Sequence, residues 1–153
     1  MITVEGTARV RTSSKDVLEF VLNLDRYRMA DTKIARVLVP ADLGDGEDGR
    51  VRYRGRLLGL PTPAVWNSVH LDRWHHLEFQ SQPSGLADVF LASFVGTFDC
   101  EAFEDGCVVH HRESFTFRRP WQRIVEPALR GWLQRQMVEE MDRLKGLVEG
   151  TEA

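Results

Sequence analysis

The apolar positions near the end of the chain predict one long amphipathic helix. From Leu129 onward they recur every three or four residues, which places them on one stripe of a helix with 3.6 residues per turn. The stripe consists of Leu129, Leu133, Met137, Met141, Leu144 and Val148. Pro120 suits the helix start because a first-turn N–H has no intrahelical acceptor to lose. Such a stripe needs a partner surface, so we expect this helix to pack on a sheet.

The residues before the helix alternate between apolar and polar in the manner of half-buried strands. Strands are predicted at residues 2–11, 34–39, 50–58, 64–71 and 77–81, followed by a hairpin at 92–118. Ser13 or Ser14 is expected to cap a first helix that buries Val17, Leu18 and Val21, and a helical turn is predicted within residues 25–32. Residues 82–89 are predicted to be irregular.

The hairpin is expected to turn at Asp105 and Gly106, because Asp-Gly is a strong signal for a two-residue loop. This turn pairs Cys100 with His111 and Phe98 with Glu113, on a face that also carries Phe115 and is mostly apolar. Cys100 and Cys107 then lie at different levels and are predicted to be free thiols, with Cys107 the more accessible near the tip.

Composition indicates one domain over residues 1–150. The formal net charge of -3 offers no general attraction to nucleic acid, so no nucleic-acid partner is expected. No apolar run reaches the eighteen or so residues that a membrane span requires, and the first residues alternate like a strand, so a cytoplasmic location is expected. The sequence does not indicate an oligomeric state.

Four arginines, at positions 50, 52, 54 and 56, lie on one face of the third predicted strand. On a sheet with one solvated face, solvation and cross-strand pairing with acids such as Glu5 explain them, and a ligand site is the alternative.

Three ionisable side chains are predicted to face the apolar interior. His111 and Glu113 lie on the inner face of the hairpin, where burial is costly unless they are hydrogen-bonded, paired or beside a hydrated cavity. Helical geometry puts Glu140 within about 20° of Leu133 in the apolar stripe. The alternatives are a satisfied core histidine, a carboxylate bonded to tyrosine or water, and, for Glu140, a side chain that passes the helix end or pairs with an arginine.

Other chemistry is less well supported. A thiolate nucleophile at Cys100 beside an imidazole lacks an identifiable oxyanion hole or orienting residue. The neighbouring pairs His75–His76 and His110–His111 point to opposite faces of extended chain, so neither pair chelates a metal from one strand. We therefore predict no metal site and no cofactor.

The order of segments resembles the START-like superfamily of helix-grip proteins, in particular the polyketide cyclase/dehydrase type. The resemblance runs from Val4 to Glu149 and rests on SSKDVLEFVLNLDRY after the first strand, FVGTFDCEAFEDG leading into CVVHHRESFTF, and the closing IVEPALRGWLQRQMVEEMDRLKGLVEG. It implies an α+β helix-grip fold, with an antiparallel sheet of about seven strands curved around the C-terminal helix. It also implies a cavity between sheet and helix for a hydrophobic small molecule, but no single reaction.

Nine residues are assigned to this cavity: Tyr53, Phe79, Phe98, Cys100, His111, Glu113, Phe115, Met137 and Glu140. For Met137, packing in the core is the alternative. The leading hypothesis is binding of a small hydrophobic or aromatic molecule. The alternatives are a polyketide cyclase or aromatase-type enzyme, in which His111 or Glu113 moves protons, and a protein-interaction or toxin-like regulatory component.

Overall fold

Seven antiparallel strands form one sheet under a long helix in the computed structural model, which describes residues 1–82, 85 and 91–150. The strands are β1 (Ile2–Val10), β2 (Ile34–Val39), β3 (Asp48–Leu57), β4 (Leu60–Asp72), β5 (His76–Gln82), β6 (Leu91–Phe103) and β7 (Gly106–Phe117). The helices are α1 (Ser14–Leu22), α2 (Leu24–Tyr27) and α3 (Trp121–Val148). The α+β helix-grip prediction is confirmed. The segment predicted to be irregular, residues 82–89, lies outside the described residues apart from Gln82 and Gly85.

The strand order is β1-β7-β6-β5-β4-β3-β2, so the first strand pairs with the last and α1 and α2 carry the chain to the opposite edge. Ser13 caps α1 as predicted, because its hydroxyl accepts a hydrogen bond of 3.1 Å from the Asp16 amide. None of the helices in the described part of the chain is long and apolar enough to cross a membrane.

Helix α3 packs mainly on β1 and buries the predicted stripe. Gly6 in β1 makes this close approach possible, since a Cβ atom there would lie 2.8 Å from Met141 Cγ and 2.9 Å from Met137 Cγ. Met137 is fully buried at this contact, so the helix and the first strand interlock through the two methionines.

The predicted hairpin register is wrong by two residues. Phe98 lies opposite His111 and Cys100 lies opposite Val109, because the loop is formed by Glu104 and Asp105. Gly106 belongs to β7 and has no positive φ, so the expected Asp-Gly turn does not form. Its lack of a side chain serves packing, since a Cβ there would lie 1.9 Å from the Val10 carbonyl oxygen. A shift of two preserves the faces, so the predicted inner residues still point inward.

The two cysteines are free, as predicted, but the expected exposure of Cys107 is wrong because its side chain is fully buried. Cys100 lies near Cys107 rather than opposite His111. Burial, followed by the neighbouring Cys107, raises the pKa of the Cys100 thiol to about 12. A neutral thiol at this position is a poor nucleophile.

The four arginines of β3 are exposed, as expected for side chains on the solvated face of the sheet. The expected pairing with Glu5 is wrong, since β1 and β3 are not neighbours and the Glu5 carboxylate lies 3.4 Å from Arg112 Nε. Instead, the guanidinium carbon of Arg50 lies 4.2 Å from the centroid of the Trp66 ring.

We expect Leu133→Asp to destabilise the protein by about 3–5 kcal/mol, because Leu133 is buried between α3 and the sheet and an aspartate there is an unpaired buried charge. Val138→Asp is the matched control, since Val138 lies on the same helix and is 54% exposed. Urea denaturation of both variants measures the difference. Equal stability of the two variants would contradict the packing of α3.

Candidate functional site

A buried lysine lies at the centre of the candidate site. The ammonium nitrogen of Lys33 lies 2.8 Å from Glu140 Oε1, 2.9 Å from Asp31 Oδ1 and 3.2 Å from Glu113 Oε1. Lys33 is only 7% exposed, and Glu140 is fully buried. One cation therefore neutralises carboxylates from three separate parts of the chain.

Two further groups complete this ion cluster, defined as Tyr27, Asp31, Lys33, His111, Glu113 and Glu140. The Tyr27 hydroxyl donates a hydrogen bond to Glu140 Oε2. His111 Nε2 lies 2.9 Å from the same oxygen, and His111 Nδ1 lies 2.8 Å from the Thr97 carbonyl oxygen and donates to it. Because Nδ1 is occupied as a donor, the second ring nitrogen is free to face the carboxylate.

Secondary structure brings these groups together from distant positions. Alternation along β7 places His111 and Glu113 on one face, while α3 supplies Glu140 and the α2–β2 connection supplies Asp31 and Lys33. The Asp31 carboxylate also accepts a hydrogen bond of 3.0 Å from the Lys33 amide, which folds that connection back on itself. Arg143 Nε of α3 donates to the Ala30 carbonyl oxygen at 2.8 Å and fixes the connection against the helix.

The cluster contains three carboxyl groups and two basic groups, so full ionisation would leave one uncompensated negative charge in the interior. Burial raises the pKa of the Glu140 carboxyl, but the positive charges of Lys33 and His111 lower the pKa by more than burial raises it. Glu140 therefore stays ionised. Burial lowers the pKa of His111, but the negative charge of Glu140, whose Oε2 lies 2.9 Å from Nε2, outweighs this effect and the pKa rises to about 9. Glu140, Lys33 and His111 are therefore all charged at neutral pH.

Glu113 is the carboxyl group most suited to hold the remaining proton. Burial raises its pKa, Lys33 lowers it and Glu140 raises it again, so that the pKa reaches about 7. Its Oε1 atom lies at ion-pair distance from Lys33 and at 3.7 Å from His111 Nε2, yet it makes no hydrogen bond within the described part of the chain. The cluster thus contains one carboxyl group that gains and loses a proton near neutral pH.

A mainly apolar cavity of about 100 Å³ adjoins the cluster and has Asp31, Lys33 and Glu113 in its wall. A smaller chamber of about 30 Å³ shares Asp31, Tyr53 and Glu113 with it and is lined by both His111 and Tyr27. The larger part extends towards the β3–β4 turn between apolar side chains. These include Ile34, Leu57, Val65, Phe94, Phe115 and Phe117.

Six of the nine predicted site residues line these two chambers: Tyr53, Phe79, Phe98, His111, Glu113 and Phe115. The remaining three lie elsewhere. Glu140 is behind the wall and contacts it through Tyr27, Lys33 and His111, while Met137 packs on Gly6 and Cys100 lies near Cys107. The arginine partner considered for Glu140 is wrong, because a lysine takes that role.

The cavity does not lie at the expected position between the sheet and α3. Its described lining comes from the α2 region and from strands of the sheet, with no residue of α3 among them. Helix α3 instead covers β1 and β7, and its Glu140 contacts Lys33, which lines the cavity. The expectation of a cavity directly between sheet and helix is therefore corrected to one under the β2–β7 part of the sheet.

Sequence reasoning missed Tyr27, Asp31 and Lys33. A lysine at the start of a predicted strand is typical of the surface, and nothing in the local pattern indicates three distant carboxylates around it. The buried charges predicted at Glu113 and Glu140 were the available signal, because each required a partner of opposite charge.

His111, Glu113 and Glu140 each offer a ligand atom, and these atoms lie within 4.8 Å of one another, close enough to hold a metal ion. The Lys33 ammonium already lies 2.8 Å from Glu140 Oε1 and 3.2 Å from Glu113 Oε1. Lys33 thus supplies the positive charge that a metal would bring, and a metal would have to displace it.

The seven-stranded antiparallel sheet and the long C-terminal helix place this protein in the class of helix-grip proteins. The family model for polyketide cyclase/dehydrase and lipid transport matches residues 1–149, and the chain belongs to that family. No curated protein matches the chain.

Solved structures share the fold at low sequence identity. The protein TTHA0849 from Thermus thermophilus has a TM-score of 0.75 at 14% identity, with 99% of each chain covered. The Zhui aromatase/cyclase from Streptomyces sp. R1128 has a TM-score of 0.75 at 15% identity, covering 99% of this chain and 95% of that one. Truncated norcoclaurine synthase from Thalictrum flavum has a TM-score of 0.63 at 16% identity, covering 95% and 92% respectively. These likenesses establish the fold.

Replacing the central cation should be costly. We expect Lys33→Met to destabilise the protein by about 3–5 kcal/mol at neutral pH, because three carboxyl groups lose their shared partner. Lys15→Met is the control, since Lys15 is exposed in a 4.0 Å surface pair with Glu19 and should change stability by less than about 1 kcal/mol. Denaturant unfolding measures both. A similar small loss in the two variants would show that Lys33 is not the central partner.

Stability should fall as pH rises from about 5 to about 9. Between its ordinary value of 4.5 and about 7, the raised pKa of Glu113 means that the folded protein holds a proton that the unfolded chain has lost. The raised pKa of His111 has the same effect between 6.5 and about 9. Each proton contributes a slope of about 1.4 kcal/mol per pH unit within its window.

Glu113→Gln should flatten the slope below pH 7, because glutamine does not titrate. The exposed carboxylate of Glu101 lies on the same hairpin, and Glu101→Gln serves as the control that keeps the slope. Free energies of unfolding from urea titrations across this range provide the measurement. A stability that rises between pH 5 and 7 in the unaltered protein would be incompatible with a raised pKa at Glu113.

Proposed function

We propose that this protein binds a small, mainly apolar molecule in the cavity that ends on Glu113. The observation that carries the proposal is the contrast within the cavity wall, which is apolar over most of its area but includes the charged groups Asp31, Lys33 and Glu113. Sites for small molecules commonly combine an apolar lining with a few placed polar groups. The family, whose description includes both cyclases and lipid transport, is consistent with such a ligand.

The size of the cavity limits the ligand. About 100 Å³ is below the 300–1,000 Å³ or so that drug-sized ligands occupy, and closer to an engineered apolar cavity of about 150 Å³ that binds benzene. A single ring, or one end of a longer molecule, fits this space. Burial of its apolar surface supplies most of the binding free energy.

A second candidate function is proton transfer to or from a bound ketone, as in a cyclase or dehydratase. The observation that favours it is the pKa of about 7 at Glu113, since general acid–base catalysis is most efficient when the pKa lies near the working pH. Lys33 and His111 stay protonated beside it and stabilise the carboxylate that forms when Glu113 gives up its proton. The aromatase/cyclase named among the solved structures has the same fold.

Binding is tested with toluene as a ring-sized apolar probe, by chemical-shift changes in NMR spectra and by native mass spectrometry for co-purified ligand. Val65→Phe should weaken toluene binding at least about tenfold, because Val65 lines the cavity and a larger side chain fills it. Val95→Phe makes the same change on the outer face of β6 and should leave binding intact. Equal binding by both folded variants would place the site elsewhere and favour the interaction-protein alternative.

Proton transfer is tested with cyclohexanone in D₂O, by the NMR signal of the hydrogens next to its carbonyl group. If Glu113 removes and returns those protons, the protein accelerates their exchange for deuterium and Glu113→Gln abolishes the acceleration. Glu101→Gln should retain it. Exchange at the uncatalysed rate with cyclohexanone bound would remove the enzyme candidate and leave the binding function.

A further inference from the structure

Glu113 is a buried polar group in the wall of a mainly apolar cavity, and one of its oxygen atoms makes no hydrogen bond to any described residue. The residue is 3% exposed, the atom concerned is Oε1, and the side chain lies in the wall of both chambers. Lys33 Nζ lies 3.2 Å from this atom as an ion-pair partner, but a buried carboxyl group without hydrogen bonds still costs roughly 1–3 kcal/mol. A ligand in the cavity that hydrogen-bonds this carboxyl group recovers part of that cost on binding.

The groups around Glu113 are already engaged with one another. Lys33 contacts Asp31 and Glu140 in addition to Glu113, and His111 lies between Glu140 and the Thr97 carbonyl oxygen. Tyr27 donates to Glu140 from the far side of the cluster.

Two other ionisable residues contribute to the cavity wall. Burial, followed by the charge of Asp31, raises the pKa of Tyr53 above its ordinary value, so the Tyr53 hydroxyl stays neutral. Arg56 lies in the wall of the larger chamber, but it belongs to the exposed arginine row of β3.

We infer that Glu113 selects the ligand by its protonation state: the cavity takes a neutral, ring-sized carbonyl compound when Glu113 is protonated and a neutral hydroxyl compound when Glu113 is ionised, and it excludes anions. This inference rests on the proposed binding function and assigns the class of ligand to the same cavity. It requires no cofactor and no covalent step, because the proton is exchanged with solvent.

The two states of the carboxyl group have opposite hydrogen-bonding capacity. A protonated carboxyl group donates its O–H, which matches the lone pairs of a ketone or aldehyde. An ionised carboxylate only accepts, so it repels a carbonyl oxygen and binds a hydroxyl donor. Since the pKa of Glu113 is about 7, both states are populated within the accessible pH range.

Anions are excluded by the composition of the cluster. Its three carboxyl groups exceed its two basic groups, and Lys33 is already within 3.2 Å of all three. A carboxylate ligand would add a negative charge beside a cluster that has no spare cation, whether Glu113 is protonated or ionised. The expected ligand is therefore neutral at its buried end.

The test uses four probes of similar size: toluene, cyclohexanone, phenol and benzoate. Dissociation constants are measured by NMR titration at about pH 5.5 and about pH 8.5, on either side of the pKa of Glu113. The ratio of cyclohexanone affinity to phenol affinity should be about tenfold higher at the lower pH than at the higher pH. This difference corresponds to a hydrogen bond that is formed in one protonation state of Glu113 and lost in the other. Toluene should bind equally at both, and benzoate at neither.

Two matched variants separate selection by Glu113 from a general effect of pH. In Glu113→Gln the amide both donates and accepts, so the ratio of cyclohexanone to phenol affinity should no longer change with pH. Glu101→Gln removes an exposed carboxylate from the same hairpin and should retain the change. Chemical-shift dispersion in the same spectra verifies that both variants are folded.

The outcomes distinguish failure of ligand binding in the cavity from failure of ligand selection by Glu113. If toluene does not bind, the proposed binding function fails. If toluene binds but the ratio of cyclohexanone to phenol affinity is the same at both pH values, binding stands and selection by Glu113 is overturned. If the ratio changes equally in Glu113→Gln, another titrating group is responsible and the assignment to Glu113 is wrong.

Discussion

The ammonium group of Lys33 is the interaction on which the arrangement of this interior depends. A helix, a strand and a connection each bring a carboxyl group to within 3.2 Å of one nitrogen atom. Without that charge, all three carboxyl groups would be buried without a strong cation, a situation that proteins avoid by unfolding or by taking up protons. Together with the hydrogen bond from Arg143 to the Ala30 carbonyl oxygen, this ammonium group holds the α2–β2 connection, and with it one wall of the cavity, in place.

The same cluster explains why a sheet packed with hydrophobic side chains contains a hydrogen-bonding group that titrates near neutral pH. Lys33 and His111 compensate the charge of two of the three carboxyl groups. The third carboxyl group, Glu113, lies in the cavity wall. Glu140 lies within 2.9 Å of Lys33 Nζ and His111 Nε2 and is held ionised, whereas Glu113 lies 3.2 and 3.7 Å from the same two atoms and has a pKa of about 7. Two glutamates on facing elements thus acquire different chemical roles from their surroundings alone.

The individual strands and the long helix could be predicted from the alternation of apolar and polar residues, which reports on the buried face, whereas the helix-grip arrangement was implied by the family resemblance. The predicted bounds of β2 and the apolar stripe of α3 match the structure. The hairpin register could not be predicted in the same way, since Gly106 serves a close contact with Val10 rather than a turn. The inward direction of His111 and Glu113 is unaffected by that error because side chains repeat every two residues along a strand.

The candidate site was only partly predictable. Glu113 and Glu140 stood out as carboxylates on apolar faces. The burial of Lys33, in contrast, is created by groups that are close to it only in the folded chain, such as Glu140, which is 107 positions away in the sequence.

The pairing of β1 with β7 also has a consequence for how the protein is made. Strand β1 leaves the ribosome about 100 residues before its hydrogen-bonding partner, and the helix that covers it follows that partner. Residues Ile2–Val10 therefore remain unpaired, with an apolar face exposed, until β7 and α3 have been synthesised. Contacts of such long range slow folding, so closure of this edge is a late event and the newly made β1 is the segment most in need of protection from other chains.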